Sequence, residues 1–207
     1  MATEHEQFAA AIRTHSADFE IDLSDEHVEL LTEYFALVLK WNELHLVAPC
    51  TPQEFAVRHV LESLRLIKHL PAGAQVVDVG SGGGLPIVPC LLVRADLHAT
   101  LVESSKRKAV FLREALRLVQ PAGGARVIAG RFEDIDLPPA DFLTCRALDR
   151  FSNLLPILIQ RAHPDTTFLL FAGDELREQI ESMLPSSKIE RLPLSERRFL
   201  LIGCKPN

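Results

Sequence analysis

No two cysteines of this chain are close enough to form a C-x-x-C pair: Cys50, Cys90, Cys145 and Cys204 are scattered through 207 residues. Their spacing indicates neither a zinc site nor a disulfide framework, so no metal is expected, and reduced thiols in a cytoplasmic setting are. No uninterrupted apolar run approaches the ~20 residues that span a bilayer, and the N-terminus lacks a basic start followed by an apolar core. A soluble protein away from membranes is expected. Internal repeats and low-complexity tracts are absent. Positive charge is short as well, with 22 Lys and Arg against 28 Asp and Glu and a net charge of −6, which alone discourages a nucleic-acid partner. Apolar substance is plentiful. At 47% of residues it suits one independent fold with an appendage, and the length is too small for two full domains.

The charge is unevenly placed. Residues 1–43 hold ten acids against two bases, so the rest of the chain holds eighteen acids against twenty bases and is slightly positive. Within that part Lys106, Arg107, Lys108, Arg113 and Arg117 cluster, diluted only by Glu103 and Glu114. Such a cluster attracts phosphates irrespective of sequence, and it equally suits the solvated face of a helix. On the first reading a phosphate-bearing partner approaches there while the acidic N-terminal helices face away.

Two patterns follow one another along the chain. Ser24 is placed to cap a helix whose apolar residues Val28, Leu31, Phe35, Val38, Leu39 and Trp41 recur at three- and four-residue steps. Thr51-Pro52-Gln53-Glu54 is a capping box with proline at the first helical position, introducing a helix from Phe55 to Leu70 that Pro71-Ala72-Gly73 ends. From there strands and helices alternate. Strands are predicted at Gln75–Val79, Ala99–Glu103, Arg126–Ala129, Asp141–Cys145, Thr166–Ala172, Lys188–Leu192 and Arg198–Cys204, with helices at Lys106–Leu118 and Glu175–Leu184. This predicts an α/β fold with a seven-stranded, mostly parallel sheet over residues 73–207 behind a helical extension over residues 1–72.

The glycine-rich turn carries the chemistry. The apolar strand Val76-Val77-Asp78-Val79 runs into Gly80-Ser81-Gly82-Gly83-Gly84-Leu85-Pro86, and the next apolar run closes on Glu103. Such a turn brings backbone N–H groups close to a ligand, and the acid after the following strand suits a ribose hydroxyl pair. Leu85 stands where a dinucleotide fingerprint wants a third small residue, which argues against NAD. Asp78, two residues before Gly80, is poorly placed for a pyrophosphate and well placed for water or an amino-acid ammonium group. S-adenosyl-L-methionine, which has a ribose, a sulfonium and an amino-acid tail but no phosphate, fits better. Gly80 to Gly84, Glu103 with Ser104, the Gly130-Arg131-Phe132-Glu133 turn and Arg146 each follow a predicted strand and converge on one crevice. There Phe132 is a candidate for the adenine face and Glu133 for its exocyclic amine, or the two are a packed aromatic beside a solvated acid.

The resemblance to a known family rests on ordered motifs. Trp41-Asn42, Arg58-His59-Val60-Leu61-Glu62-Ser63-Leu64, Asp78 through Pro86, Glu103-Ser104 with Lys106 to Leu112, Gly130 to Glu133 and Arg146-Ala147 resemble, in order and spacing, the RsmG family, also called glucose-inhibited division protein B. The likeness runs from about Leu31 to the terminal Arg198-Phe199-Leu200-Leu201-Ile202-Gly203-Cys204-Lys205. It implies a class I methyltransferase fold that uses S-adenosyl-L-methionine to methylate N7 of one guanosine in small-subunit ribosomal RNA, near the decoding site. It implies cofactor contacts at Gly80, Leu85, Phe132, Glu133 and Arg146, to which the motif reading adds Asp78, Gly82, Gly84, Glu103 and Ser104. Arg146 is also the catalytic candidate, Arg58, Lys106 and Arg107 are the substrate candidates, and the expected partner is ribosomal RNA or the small subunit, met by a monomer.

The sequence departs from the family's usual residues at several places. Asn-Leu-Thr is usual where this chain has His45-Leu46-Val47, Asp at Glu62, Gly at Ile87 and Lys-Gly at Ala172-Gly173. Polar groups are lost on the RNA side. Guanine N7 offers a lone pair and needs no general base, so alignment and water exclusion are the enzyme's task. Cys145-Arg146-Ala147-Leu148 is not the Asn/Asp-Pro-Pro-aromatic loop of exocyclic amine methylation, whereas a cysteine nucleophile for pyrimidine C5 has a candidate in Cys145. For Arg146 the alternatives are a fork toward a cofactor carboxylate or guanine carbonyl and a salt bridge to Glu103 or Asp141. His59, beside Arg58, is a candidate for contact with RNA or for capping the sheet edge; a lone histidine on a helix is more often structural, so it stays out of the catalytic list. A small-molecule methyltransferase and a non-catalytic cofactor- or ribosome-binding module remain as other classes.

Overall fold

Thr3 and Ser24 each close a capping box, accepting from the backbone N–H three residues on while that residue's side chain takes their own N–H. They open α1 (Glu4–His15) and α2 (Asp25–Trp41) of this computed structural model, which describes residues 2–119, 124–146 and 151–205. The apolar stripes of the two helices meet through Phe8 and Phe35, stacked with ring centroids 4.6 Å apart, and Phe55 closes on Phe35 at 5.1 Å. α1 is a helix that the sequence reading did not place.

The helix expected from Phe55 to Leu70 is instead a composite. Thr51 caps α3 (Pro52–Glu54), a π-helix runs over Phe55–Leu61, α4 (Glu62–Leu64) follows, and a 3₁₀ turn at Arg65–Lys68 ends it. The widened turn lets the Arg58 carbonyl accept from the Arg146 guanidinium rather than serve only its own helix. Propensity within the segment carries no sign of that remote partner.

Strands β1 (Gln75–Val79), β2 (His98–Glu103), β3 (Ala125–Ala129), β4 (Phe142–Cys145), β5 (Thr167–Gly173), β6 (Lys188–Arg191) and β7 (Arg198–Cys204) form one sheet in the order β3-β2-β1-β4-β5-β7-β6. The first five are parallel, and β7 runs antiparallel to both β5 and β6. Linking them are α5 (Ile87–Val93), α6 (Lys106–Ala115), α7 (Phe151–Arg161) and α8 (Asp174–Met183). Side chains alternate across the sheet: Val76 joins the core shared with α1, α2, α5 and α6, while Val77 and Val79 join the core with α7, α8 and Phe132. Residues 87–92 of α5 are all buried, which explains why they read as an apolar run rather than an amphipathic stripe. The strand order reverses between β1 and β4, where an open α/β sheet leaves a crevice at the carboxyl ends of its strands. No helix among the described residues is long and apolar enough to cross a membrane.

Candidate active site

A cavity of about 790 Å³ opens at that crevice. Its walls include Gly80, Gly82, Leu85, Glu103, Ser104, Phe132, Glu133 and Arg146, so the ends of β1 to β4 are brought to one place although the residues span much of the chain. Gly84, at φ +85°, packs below the loop rather than on the cavity wall, and a Cβ there would stand 2.6 Å from Val88 Cγ2. Gly80 turns the chain out of β1 at φ +72°, a conformation that costs other residues strain.

Glu103 ties the loop together. Its carboxylate accepts the N–H of Gly82 at 2.9 Å and that of Ser105 at 2.7 Å, and a carboxylate has further lone pairs to offer a ligand hydroxyl. Beneath the loop Tyr34 donates to the Gly83 carbonyl at 2.5 Å, pinning the turn to α2. Burial, helped by Asp78, raises the Tyr34 pKa, so the phenol keeps the proton it donates.

Asp78 lies below the cavity wall, fully buried, with both carboxyl oxygens unpartnered; Ser81 Oγ donates to its backbone carbonyl instead. Burial pushes its pKa up to about 8, nearby Glu103 adds to the rise and Ser81 opposes it. Thr144, its register partner on β4, is also buried with an unpartnered hydroxyl. Two orphaned polar groups under a glycine loop fit a ligand that brings a donor, directly or through a water.

Arg146, with its side chain 13% exposed, stands at the other end of the cavity. Its Nη2 donates to Glu62 Oε2 at 2.9 Å and to the Arg58 carbonyl, its Nη1 reaches Ser63 Oγ at 3.4 Å, and its Cζ lies 5.1 Å from the centre of the Phe171 ring. Arg198 Nε donates to the second oxygen of Glu62 at 2.6 Å. A fully buried carboxylate thus holds two arginines, and the partner of Arg146 is Glu62, not Glu103 or Asp141. Asp141 is engaged elsewhere, accepting the Gln75 N–H. Burial lowers the Arg146 pKa and Glu62 works against that.

Not every expected residue reaches the cavity. The Arg58 side chain is exposed and off its wall, and so are Lys106 and Arg107; Lys108 is the member of the cluster that lines it. Arg107 pairs with Glu43 at 3.4 Å and Lys40 with Glu114 at 3.4 Å. The acidic N-terminal part therefore does not wholly face away from the basic helix, because the end of α2 packs beside α6. Ala147, Leu148 and Arg150 lie outside the described residues. Arg131, expected at the crevice with its turn, is on the wall. Sequence reasoning missed Ala48 and Leu154 as wall residues and kept His59 out of the catalytic list, although His59 lines the cavity. Its signal was the Arg58–Leu64 run, which also contains Glu62.

Comparison with known proteins decides the family. The model of GidB, rRNA small subunit methyltransferase G, matches residues 27–195. The chain belongs to the GidB family. Among curated relatives, a ribosomal RNA small subunit methyltransferase G of Xanthomonas euvesicatoria is 38% identical over 155 residues, covering 74% of this chain and 72% of the relative. That of Chromobacterium violaceum is 33% identical over 180 residues, covering 85% and 84%. As a GidB-family member the protein is a methyltransferase of small-subunit ribosomal RNA, with S-adenosyl-L-methionine as methyl donor. Solved structures share the fold at low identity. TYW2 of M. jannaschii, in complex with AdoMet, has a TM-score of 0.57 and 12% identity, covering 72% of this chain and 76% of that one. A TehB-like SAM-dependent methyltransferase of Corynebacterium glutamicum has a TM-score of 0.53 and 14% identity, covering 84% and 98%. These likenesses establish a class I methyltransferase fold with N-terminal helices.

Proposed function

We propose that this GidB-family protein methylates N7 of a guanosine in small-subunit ribosomal RNA, within the cavity at the carboxyl ends of β1 to β4. The observation that supports this reading is the joining of two unlike ends in one cavity: glycine N–H groups and Glu103, Phe132 and Glu133 at one, Arg146 and His59 at the other. On this reading residues 73–207 are the methyltransferase unit and residues 1–72 its helical extension.

The Gly80–Leu85 turn, Glu103, Ser104, Phe132 and Glu133 hold the adenosine part of the methyl donor, Asp78 serves its amino-acid part, and Arg146, where that part meets the target base, aligns the two. When bound, the donor supplies an electrophilic methyl group on a sulfonium sulfur. The guanine N7 lone pair is free to accept that methyl group, so no proton would have to be removed from the base. The chain's residues therefore align and desolvate; no base is needed. Cys145 is fully buried and is not on the cavity wall, which disfavours a covalent adduct at pyrimidine C5.

The test is to incubate small-subunit ribosomal RNA, naked and as assembled particles, with the protein and S-adenosyl-L-methionine, and to map the methyl group. The expected product is one 7-methylguanosine, formed by Cys145→Ser at the wild-type rate and lost with Arg146→Ala. A dead Cys145→Ser variant, together with a covalent protein–RNA adduct that the wild type forms on RNA carrying 5-fluorocytidine and the variant does not, would overturn the reading.

A further inference from the structure

His59 is the polar group at the target end of the cavity that the reaction as described leaves without a task. Its ring lines the cavity next to Arg146, leans on Phe55 with centroids 5.4 Å apart, and has no hydrogen-bond partner among the described residues. Arg146, by contrast, already spends three N–H bonds on Glu62, Ser63 and the Arg58 carbonyl. His45 is exposed, and Lys108 and Arg131 come from segments flanking the Glu103–Glu133 end.

A base that presents N7 to the methyl group presents, on the same edge, a carbonyl oxygen if it is guanine and an amino group if it is adenine. Discrimination there requires a desolvated donor, because a buried polar group left facing its own kind is costly. Resting on the guanine-N7 reading above, we propose that His59 is the specificity-determining residue for the target base, donating one ring N–H to the guanine O6. The charged groups around it favour that role. Burial together with Arg146, Arg58 and Arg198 holds its pKa down at about 4, with Glu54 weakly opposing, so the ring is neutral. The field of those guanidinium groups favours the tautomer whose bare nitrogen faces them and whose N–H faces the cavity. A neutral ring also adds no charge against the base as it becomes cationic.

The experiment compares small-subunit RNA carrying guanosine or 2-aminopurine riboside at the target position, the latter keeping N7 and lacking O6. In the wild type this replacement is expected to lower kcat/KM by ~10- to 30-fold, the scale of one lost hydrogen bond. In His59→Phe the guanosine substrate falls by a similar factor and the replacement then costs less than ~3-fold, because the interaction is already gone. His59→Gln, which keeps an N–H donor, recovers part of the loss on guanosine. Calorimetric affinity for S-adenosyl-L-methionine stays within ~2-fold in both variants. Losses that multiply, a wild type indifferent to O6, or a parallel fall in donor affinity would overturn the assignment. A wild type whose product is not 7-methylguanosine would overturn the function proposed above; the expected product with multiplying losses would overturn only the role of His59.

Discussion

The two ends of the cavity are built by different means. At the glycine loop the structure is made mostly by neighbours, a strand, a turn with positive φ and an acid that takes two backbone N–H groups, with Tyr34 reaching in from α2. At the arginine end it is made by strangers, since Glu62 meets Arg146 across 84 positions and Arg198 across 136. The first end tolerates change in one residue better, because backbone geometry carries it. The second depends on a buried charge balance that no single element supplies.

That contrast is broken most severely at Glu62. Glu62→Gln leaves two arginines facing a neutral amide, one of them in a largely buried position, and such a loss typically costs about 3–5 kcal/mol. Urea unfolding should show it as a large fall in midpoint with little change in slope. Glu62→Asp, which keeps the charge on a shorter arm, should recover much of it. A mild effect of Glu62→Gln would mean that the arginine end, too, is held by its backbone.

A comparable effect, spread over pH rather than set by one substitution, is expected beneath the loop. Asp78 has a native pKa of about 8 against an ordinary 3.8. The native state keeps a proton that the unfolded chain gives up, so the associated stability is full below about pH 4 and is lost as pH rises toward 8. Urea midpoints measured across that window should fall with pH in the wild type, and Asp78→Asn should flatten the dependence. An identical slope in the variant would assign the effect to other groups.

The smallest effect belongs to the basic rim. Replacing Lys106, Arg107 and Lys108 together by Gln should weaken RNA binding and flatten its dependence on salt, while donor affinity holds. Lys108 alone should account for more of the change than Arg107, which is engaged with Glu43. An unchanged salt slope would mark the cluster as a solvated helix face.

The same contrast explains what the sequence made legible. β1 and β7 have the bounds expected from their sequence, each a polar residue leading into an apolar run, and the glycine turn with Glu103 announces itself because its residues are adjacent or one strand apart. The fully buried α5 has no polar face to give it period, and α1 was not placed at all. The Arg58 carbonyl within the π-helix takes its partner from Arg146, far along the chain, and neither that contact nor the pairing of Glu62 with two arginines is written in local propensity. His59 looked structural because its neighbours in the cavity come from other elements.

The division of labour between the two ends is tested most directly by single-turnover methyl transfer to small-subunit RNA, titrated with S-adenosyl-L-methionine, for Glu103→Ala and Arg146→Lys. Glu103→Ala should need at least ~10-fold more donor, equivalent to ~1.4 kcal/mol, and regain the wild-type rate at saturation. Arg146→Lys should stay slow however much donor is added. If both variants recover at saturation, or neither does, the two ends do not have separate tasks and the proposed arrangement of the cavity is wrong.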